Sequence, residues 1–299
     1  MIMTENHDAN GPGSTSRSPG LRETGVGRVV ILLDASRESM AALDAAAAFA
    51  HASRAELVGW FVEEEELVRC AGYPWTREVS LSGVVRPLQP GQVEQRLRNR
   101  AEIMRSALQR IARSRGLQAQ LRVYRGRVIQ KVLEEATGDD LLVLGKIGYR
   151  RALGLRVGST ARALMGRTAG PVMIYEHPLK PVSPSTVAVV VTAGDEGLRA
   201  LGTALALARE SGASLVILLP MEDEDDGAQR EHTVRTLLEE VNDHERVQSV
   251  RRVTANRVVQ ILEEESAQRL VVPRQWALQA ERRNADLVEA ASMPVVVVP

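Results

Sequence analysis

The sequence holds a single cysteine, Cys70, and only 3% aromatic residues in 299. One cysteine cannot close an intramolecular bridge, so neither an oxidising compartment nor a disulfide framework is needed. Net charge is missing too, since 38 Lys and Arg balance 38 Asp and Glu. This excludes a nucleic-acid binder driven by bulk charge. No apolar run reaches the roughly 18 residues a membrane helix requires; Asp44 and His51 interrupt the alanine-rich run from Ala41 to Ala52. His7, His51, His177, His232 and His244 are scattered without metal-ligand spacing. What is present is an ordinary globular composition, 44% hydrophobic, long enough at about 150 residues per domain for two domains. Residues 1–27 have no apolar signal core and are rich in Gly, Ser, Asn and charge, so they read as a disordered tail of a soluble, cytoplasmic chain.

Two periods alternate through the first half. Short apolar runs at 28–33, 57–62, 118–124, 141–144 and 172–175 read as strands, and amphipathic stretches at 36–52, 93–114, 128–136 and 159–165 read as helices. Between 62 and 93 lies a long loop marked by Pro74, Pro87 and Pro90. Strands that alternate with helices imply a parallel sheet covered on both faces, a doubly wound α/β domain. Residues 176–185, with Pro178, Pro181 and Pro184, read as a linker. After it the pattern repeats: Val30-Ile-Leu-Leu-Asp34 aligns with Ala188-Val-Val-Val-Thr192, Arg127-Val-Ile-Gln130 with Arg257-Val-Val-Gln260, and Pro171-Val172 with Pro294-Val295. Matches in the same order indicate an internal duplication, with domains at 28–175 and 186–299.

Ligands of open parallel sheets sit beyond the carboxyl ends of the strands. There, Gly145-Lys146-Ile147-Gly148 follows a strand, and nine residues later Gly158-Ser159-Thr160 opens a helix. Glycines let backbone amides approach phosphate oxygens, and a helix N-terminus adds unpaired donors and the positive end of a dipole. Lys146 either pairs with a phosphate or points into solvent. Asp34, taken alone, also fits a helix cap or a turn. Arg150, Arg151 and Arg156 either screen phosphates or form a solvated basic loop, and the acidic runs 63–66 and 222–226 read as solvated loops. No P-loop signature occurs.

This spacing resembles the ATP-binding signature of the universal stress protein family, and the resemblance extends over residues 28–175, including the Asp34-Ala-Ser-Arg-Glu-Ser39 turn. It implies a Rossmann-like domain, similar to the adenine nucleotide alpha hydrolases. It further implies that Asp34 lies at the base of an adenosine pocket, that Val62 meets adenine through its backbone, and that Gly145, Gly148, Gly158, Ser159 and Thr160 hold ribose and phosphates of ATP with Mg²⁺. In the second half Thr192 stands at the place of Asp34 and Arg274 at that of Gly145, with about six loop residues fewer on this alignment. One nucleotide per chain is therefore expected. The family's pairing of closing strands implies that 172–175 and 295–298 join the halves as an intramolecular pseudo-dimer, with higher assembly and a protein partner left open. The resulting expectation is a nucleotide-dependent regulatory module; the alternatives are a slow ATP hydrolase or adenylyl-transferring enzyme, and a nucleotide-free structural protein.

Overall fold

A computed structural model describes residues 26–80, 82–146, 157–175, 185–221, 227–240, 243–254, 257–283 and 287–299. The first half runs β1 (Arg28–Leu33), α1 (Arg37–Ser53), β2 (Glu56–Glu64), α2 (Glu65–Ala71), β3 (Arg77–Val79), β4 (Val85–Pro87), α3 (Pro90–Ser114), β5 (Ala119–Gly126), α4 (Val128–Glu135), β6 (Asp140–Gly145), α5 (Ser159–Arg167) and β7 (Val172–Tyr175). The second runs β8 (Thr186–Val190), α6 (Asp195–Ser211), β9 (Ser214–Pro220), α7 (Gly227–Glu240), β10 (Val247–Val253), α8 (Val258–Glu264), β11 (Arg269–Pro273), α9 (Arg274–Arg283), α10 (Leu287–Ala290) and β12 (Val295–Val298). Of the expected tail and linker, only residues 26, 27 and 185 are among those described.

Side chains alternate across each strand, so every strand feeds two layers. Val29, Ile31 and Leu33 pack with Leu43 and Ala46 of α1 and with Met104 and Leu108 of α3. On the opposite face Val30, Val58, Trp60, Leu142 and Leu144 pack with Val132 of α4 and with Ala161 and Leu164 of α5. Both layers continue into the second half. Arg28 and Asp140 lie opposite one another where β1 and β6 begin, and clasp through two bonds of 2.7 and 2.6 Å. Burial opposes ionisation of Asp140, but Arg28 and the Thr137 amide outweigh it and hold the carboxyl below its usual range.

The ten main strands form one sheet in the order β10-β9-β8-β11-β12-β7-β6-β1-β2-β5. Read outward from the centre, the two halves have the same strand order, and within each half every pairing of this sheet is parallel. At the centre β7 and β12, both wholly buried, pair antiparallel with Val295 opposite Ile174 and Val297 opposite Val172. The expected pseudo-dimer is thus present as a continuous sheet with two-fold pseudosymmetry.

Two expectations change. The stretch from 63 to 91 is more than a loop: it forms α2 and the separate β3–β4 hairpin. Neither announces itself in sequence, because α2 starts without a side-chain cap and the three-residue strands are largely exposed, so no alternation marks them. Tyr73 and Trp75 stack beside this hairpin at 5.2 Å, with Trp75 73% exposed. The second change is one of correspondence. Leu142 lies opposite Val30 and Val172, whereas Leu270 lies opposite Ala188 and Val295. Leu142 therefore matches Leu270, both facing the same layer, and by continuation Gly145 matches Pro273 and Lys146 matches Arg274. The alignment of Arg274 with Gly145 is out by one residue, a slip that would have turned the strand's side chains to the wrong face. The separation is 26 positions from Gly145 to Pro171 and 21 from Pro273 to Pro294, so the second loop is shorter by 26 − 21 = 5 residues.

Candidate functional site

From β1 the chain crosses to β2 on one side and later returns to β6 on the other. The carboxyl ends of β1 and β6 thus flank the switch point, where doubly wound sheets open a crevice for ligands. Leu33 lies opposite Phe61, which puts Asp34 and Val62, one residue further along, level with each other at the sheet edge. Gly145 ends β6 on the other side of β1.

Asp34 is half-buried and shapes the turn into α1. Its Oδ1 accepts the Ser36 amide at 2.9 Å, while Ala35 takes φ of 64°, a left-handed conformation that an Asp-led turn tolerates. Ser36 caps the helix: its Oγ accepts the Ser39 amide at 3.0 Å, and the Ser39 hydroxyl donates to the Ser36 carbonyl at 3.1 Å. Gly145 meets this same turn. A Cβ there would lie 3.1 Å from Glu38 Cβ and 3.2 Å from the Glu38 carbonyl carbon, so close packing of β6 against the first turn of α1 already calls for glycine. The phosphate-loop reading missed this role, although a glycine where a strand ends beside a helix start was its signal.

Lys146 takes neither of its expected places. It is 4% exposed, and its Nζ donates to the carbonyl of Ala291 in the second half at 3.0 Å. Its own amide donates to the Tyr175 carbonyl at 2.7 Å, and its carbonyl accepts the Gly158 amide at 2.9 Å. This last bond brings the two ends of the glycine-flanked loop together. Gly158 is the N-cap of α5, and no side chain caps that helix. With the Gly158 amide committed to Lys146, the donors that α5 presents are the first-turn amides of Ser159, Thr160 and Ala161, which have no partner within the helix. Ser159 is exposed and Thr160 half-buried, and both add hydroxyls at the positive end of the helix dipole. Gly148, Arg150, Arg151 and Arg156 lie outside the described residues.

The crevice therefore has two unlike sides, a carboxylate on β1 and an anion-seeking helix start reached through β6. Such a site suits a ligand with hydroxyl or amine donors at one end and negative charge at the other. Among the described residues no three His, Cys, Asp or Glu side chains gather to hold a metal ion. Glu63 and Glu66 of the acidic run pair with Arg125 and Arg127, while the run 222–226 lies outside the described residues. Trp60 packs edge-on against Tyr124 at 5.6 Å and below Arg28 at 5.8 Å. Cys70 is exposed. No described helix is long and apolar enough to cross a membrane.

In the second half the corresponding turn is rebuilt. Gly194 takes φ of 82°, and Gly197 sits so close to Thr192 that a Cβ would lie 2.0 Å from its carbonyl oxygen. Thr192 lines a cavity of about 270 Å³ together with Leu198, Gln229, Thr233 and Val234. Strand β11 passes directly into α9 at Arg274. Arg274 Nη2 donates to the carbonyl of Thr168 at 2.6 Å and lies 3.3 Å from its hydroxyl.

Residues 25–176 match the universal stress protein family. No protein of curated function matches the chain. In three dimensions it is similar to a universal stress protein from Archaeoglobus fulgidus DSM 4304, at 17% identity over 91% of this chain and 98% of that one, with a TM-score of 0.67. It is also similar to a functionally unknown protein from Pseudomonas aeruginosa PAO1, at 12% identity over 92% and 93%, with a TM-score of 0.57. At such identities these likenesses speak for the fold, and both extend over the two halves.

Proposed function

The chain belongs to the universal stress protein family, and on that premise we propose that its first half binds ATP with Mg²⁺ and that occupancy of this site is the signal of a regulatory, stress-response module. The observation that carries the reading is the β1–β6 switch point itself, where Asp34 follows β1 and the Gly158–Lys146 bond ties the start of α5 to the end of β6. Asp34 and the backbone of Val62 receive the adenosine. Gly145 and Gly148 flank the chain of phosphates, with no side chain of their own to obstruct it, and the N-terminal turn of α5, from Gly158 through Ser159 and Thr160, takes its charge. Mg²⁺ prefers phosphate oxygens, water and one or two protein oxygens to a dedicated protein cage, so the lack of a described carboxylate cluster fits a cation carried in with the nucleotide.

Calorimetric titration of the full chain with Mg-ATP tests this. The expected result is one equivalent per chain, with binding to Asp34→Ala weaker by about tenfold, the loss of one hydrogen bond to a charged group. Absence of binding, or saturation at two equivalents, overturns the proposal. Timed product formation in the same mixtures separates a binder from a slow hydrolase or adenylyl-transferring enzyme.

A further inference from the structure

Both ends of helix α5 are tied to the second half, and each tie is made by a cation. At the N-terminal end the Gly158 amide holds the Lys146 carbonyl, and Lys146 Nζ reaches Ala291. At the other end Arg274 donates to Thr168, the C-cap residue, whose hydroxyl is further fixed on the Leu164 and Gly170 carbonyls at 3.1 Å each. The two ties are one contact made twice. Lys146 and Arg274 occupy matching positions after β6 and β11, and Thr168 and Ala291 each stand three residues before the proline that opens a closing strand. The antiparallel pairing of β7 with β12 relates the halves by a pseudo-two-fold, so each cation crosses to the opposite half.

Lys146 is almost wholly enclosed, with its Nζ bonded to the Ala291 carbonyl. Burial pulls the Arg274 guanidinium below its ordinary range, with Glu196 opposing that shift. Arg274 sits at the negative end of the α5 dipole, where a cation steadies a helix. The phosphate-seeking end is at the opposite pole, nine residues away, or about 13 Å at 1.5 Å per residue. Arg274 is therefore too distant to touch a phosphate there, and any influence it has on the site passes through the helix.

We propose that Lys146 and Arg274 make the second half a regulator of the first-half nucleotide site: by fixing the two ends of α5 they couple nucleotide affinity to the contact between the halves. This inference rests on the reading of α5 as the phosphate-binding helix. Lys146 and Arg274 are positioning residues, and because coupling is reciprocal, nucleotide must tighten the contact as much as the contact tightens nucleotide.

The test uses the full chain and Mg-ATP. Calorimetry on Arg274→Gln is expected to show affinity weakened about fivefold or more, the lower end of ordinary coupling, at unchanged stoichiometry, with Arg274→Lys recovering part of the loss. Hydrogen exchange on the unaltered chain is the second measurement, in which Mg-ATP is expected to slow exchange in residues 287–293, remote from the nucleotide site in sequence. If Arg274→Gln fails to fold, the exchange measurement decides alone. Equal affinity in folded Arg274→Gln, or Mg-ATP binding that leaves exchange at 287–293 unchanged, overturns the coupling while the nucleotide site stands. If the unaltered chain does not bind Mg-ATP, the site assignment falls and the coupling falls with it.

Discussion

Glu210 shows how the fold acts on a single residue. Burial pushes its carboxyl up to about 7 from an ordinary 4.5, with the charge of Arg269 only partly opposing the shift, and its Oε2 is buried without a hydrogen-bond partner among the described residues. Burial also pulls the Arg269 guanidinium down, against the pull of Glu210 and Tyr175. A carboxyl whose folded value is raised contributes most below the unfolded value, and its contribution is lost as pH climbs through the folded one. The chain should therefore lose stability as pH rises from about 4.5 through about 7, and Glu210→Gln should remove that slope. Urea unfolding midpoints at pH 5 and pH 8 for both chains check this, with parallel behaviour counting against it. Asp140, held low by Arg28, works in the opposite sense and in a separate window: its contribution is lost as pH falls below its ordinary 3.8. Both shifts depend on surroundings that only the folded chain assembles, burial at Glu210 and the Arg28 guanidinium, 112 residues away, at Asp140. No local pattern announces them.

Among the elements, the contrast between the two helix starts beside the site carries the functional reading. Helix α1 is closed by Ser36, whereas α5 begins at Gly158 with no side-chain cap. Ser36→Ala should cost about 1 kcal/mol of stability through loss of the bond to the Ser39 amide. The Ser36 amide survives that change, so the Asp34 turn and a single Mg-ATP equivalent should persist. Chemical denaturation with a parallel titration checks both parts; unchanged stability would show that the cap contributes nothing. The start of α1 was legible in sequence because a serine ahead of an alanine-rich amphipathic run is a local signal. The hairpin between β2 and α3 was illegible because its residues lack period-two alternation.

The whole molecule depends on the β7–β12 seam. A chain ending at Tyr175 would expose the unpaired edge of β7, whose four residues are all buried in the intact protein, and exposed apolar edges recruit other strands. Sedimentation should show this truncated chain self-associating or aggregating; a stable monomer would leave the seam without a protective role. Charge sharpens the division. The zero total conceals 23 Lys and Arg against 15 Asp and Glu in residues 28–175, and 12 against 19 in 186–299. The halves are therefore of opposite sign, which favours their association at low salt over self-association of like-charged first halves.

The strands and helices of the first half's main sheet layers, the repeat, the spacing of the glycine motif and the Asp34 turn were legible in the sequence, because periodicity, turn chemistry and motif spacing are written along neighbouring residues. The matching of Lys146 with Arg274 was not, since a one-residue slip between repeats leaves apolar runs looking alike and only the sheet register distinguishes them. Nor was the destination of Lys146 legible. Its bond to Ala291 joins positions 145 residues apart, and such a contact exists only once two surfaces have closed on each other. The sequence by itself thus determined which pieces form and where a nucleotide would be sought. Tertiary structure decided that α5 is anchored at both ends to the other half, because those anchors depend on the antiparallel seam, which brings the closing segments of the two halves against each other.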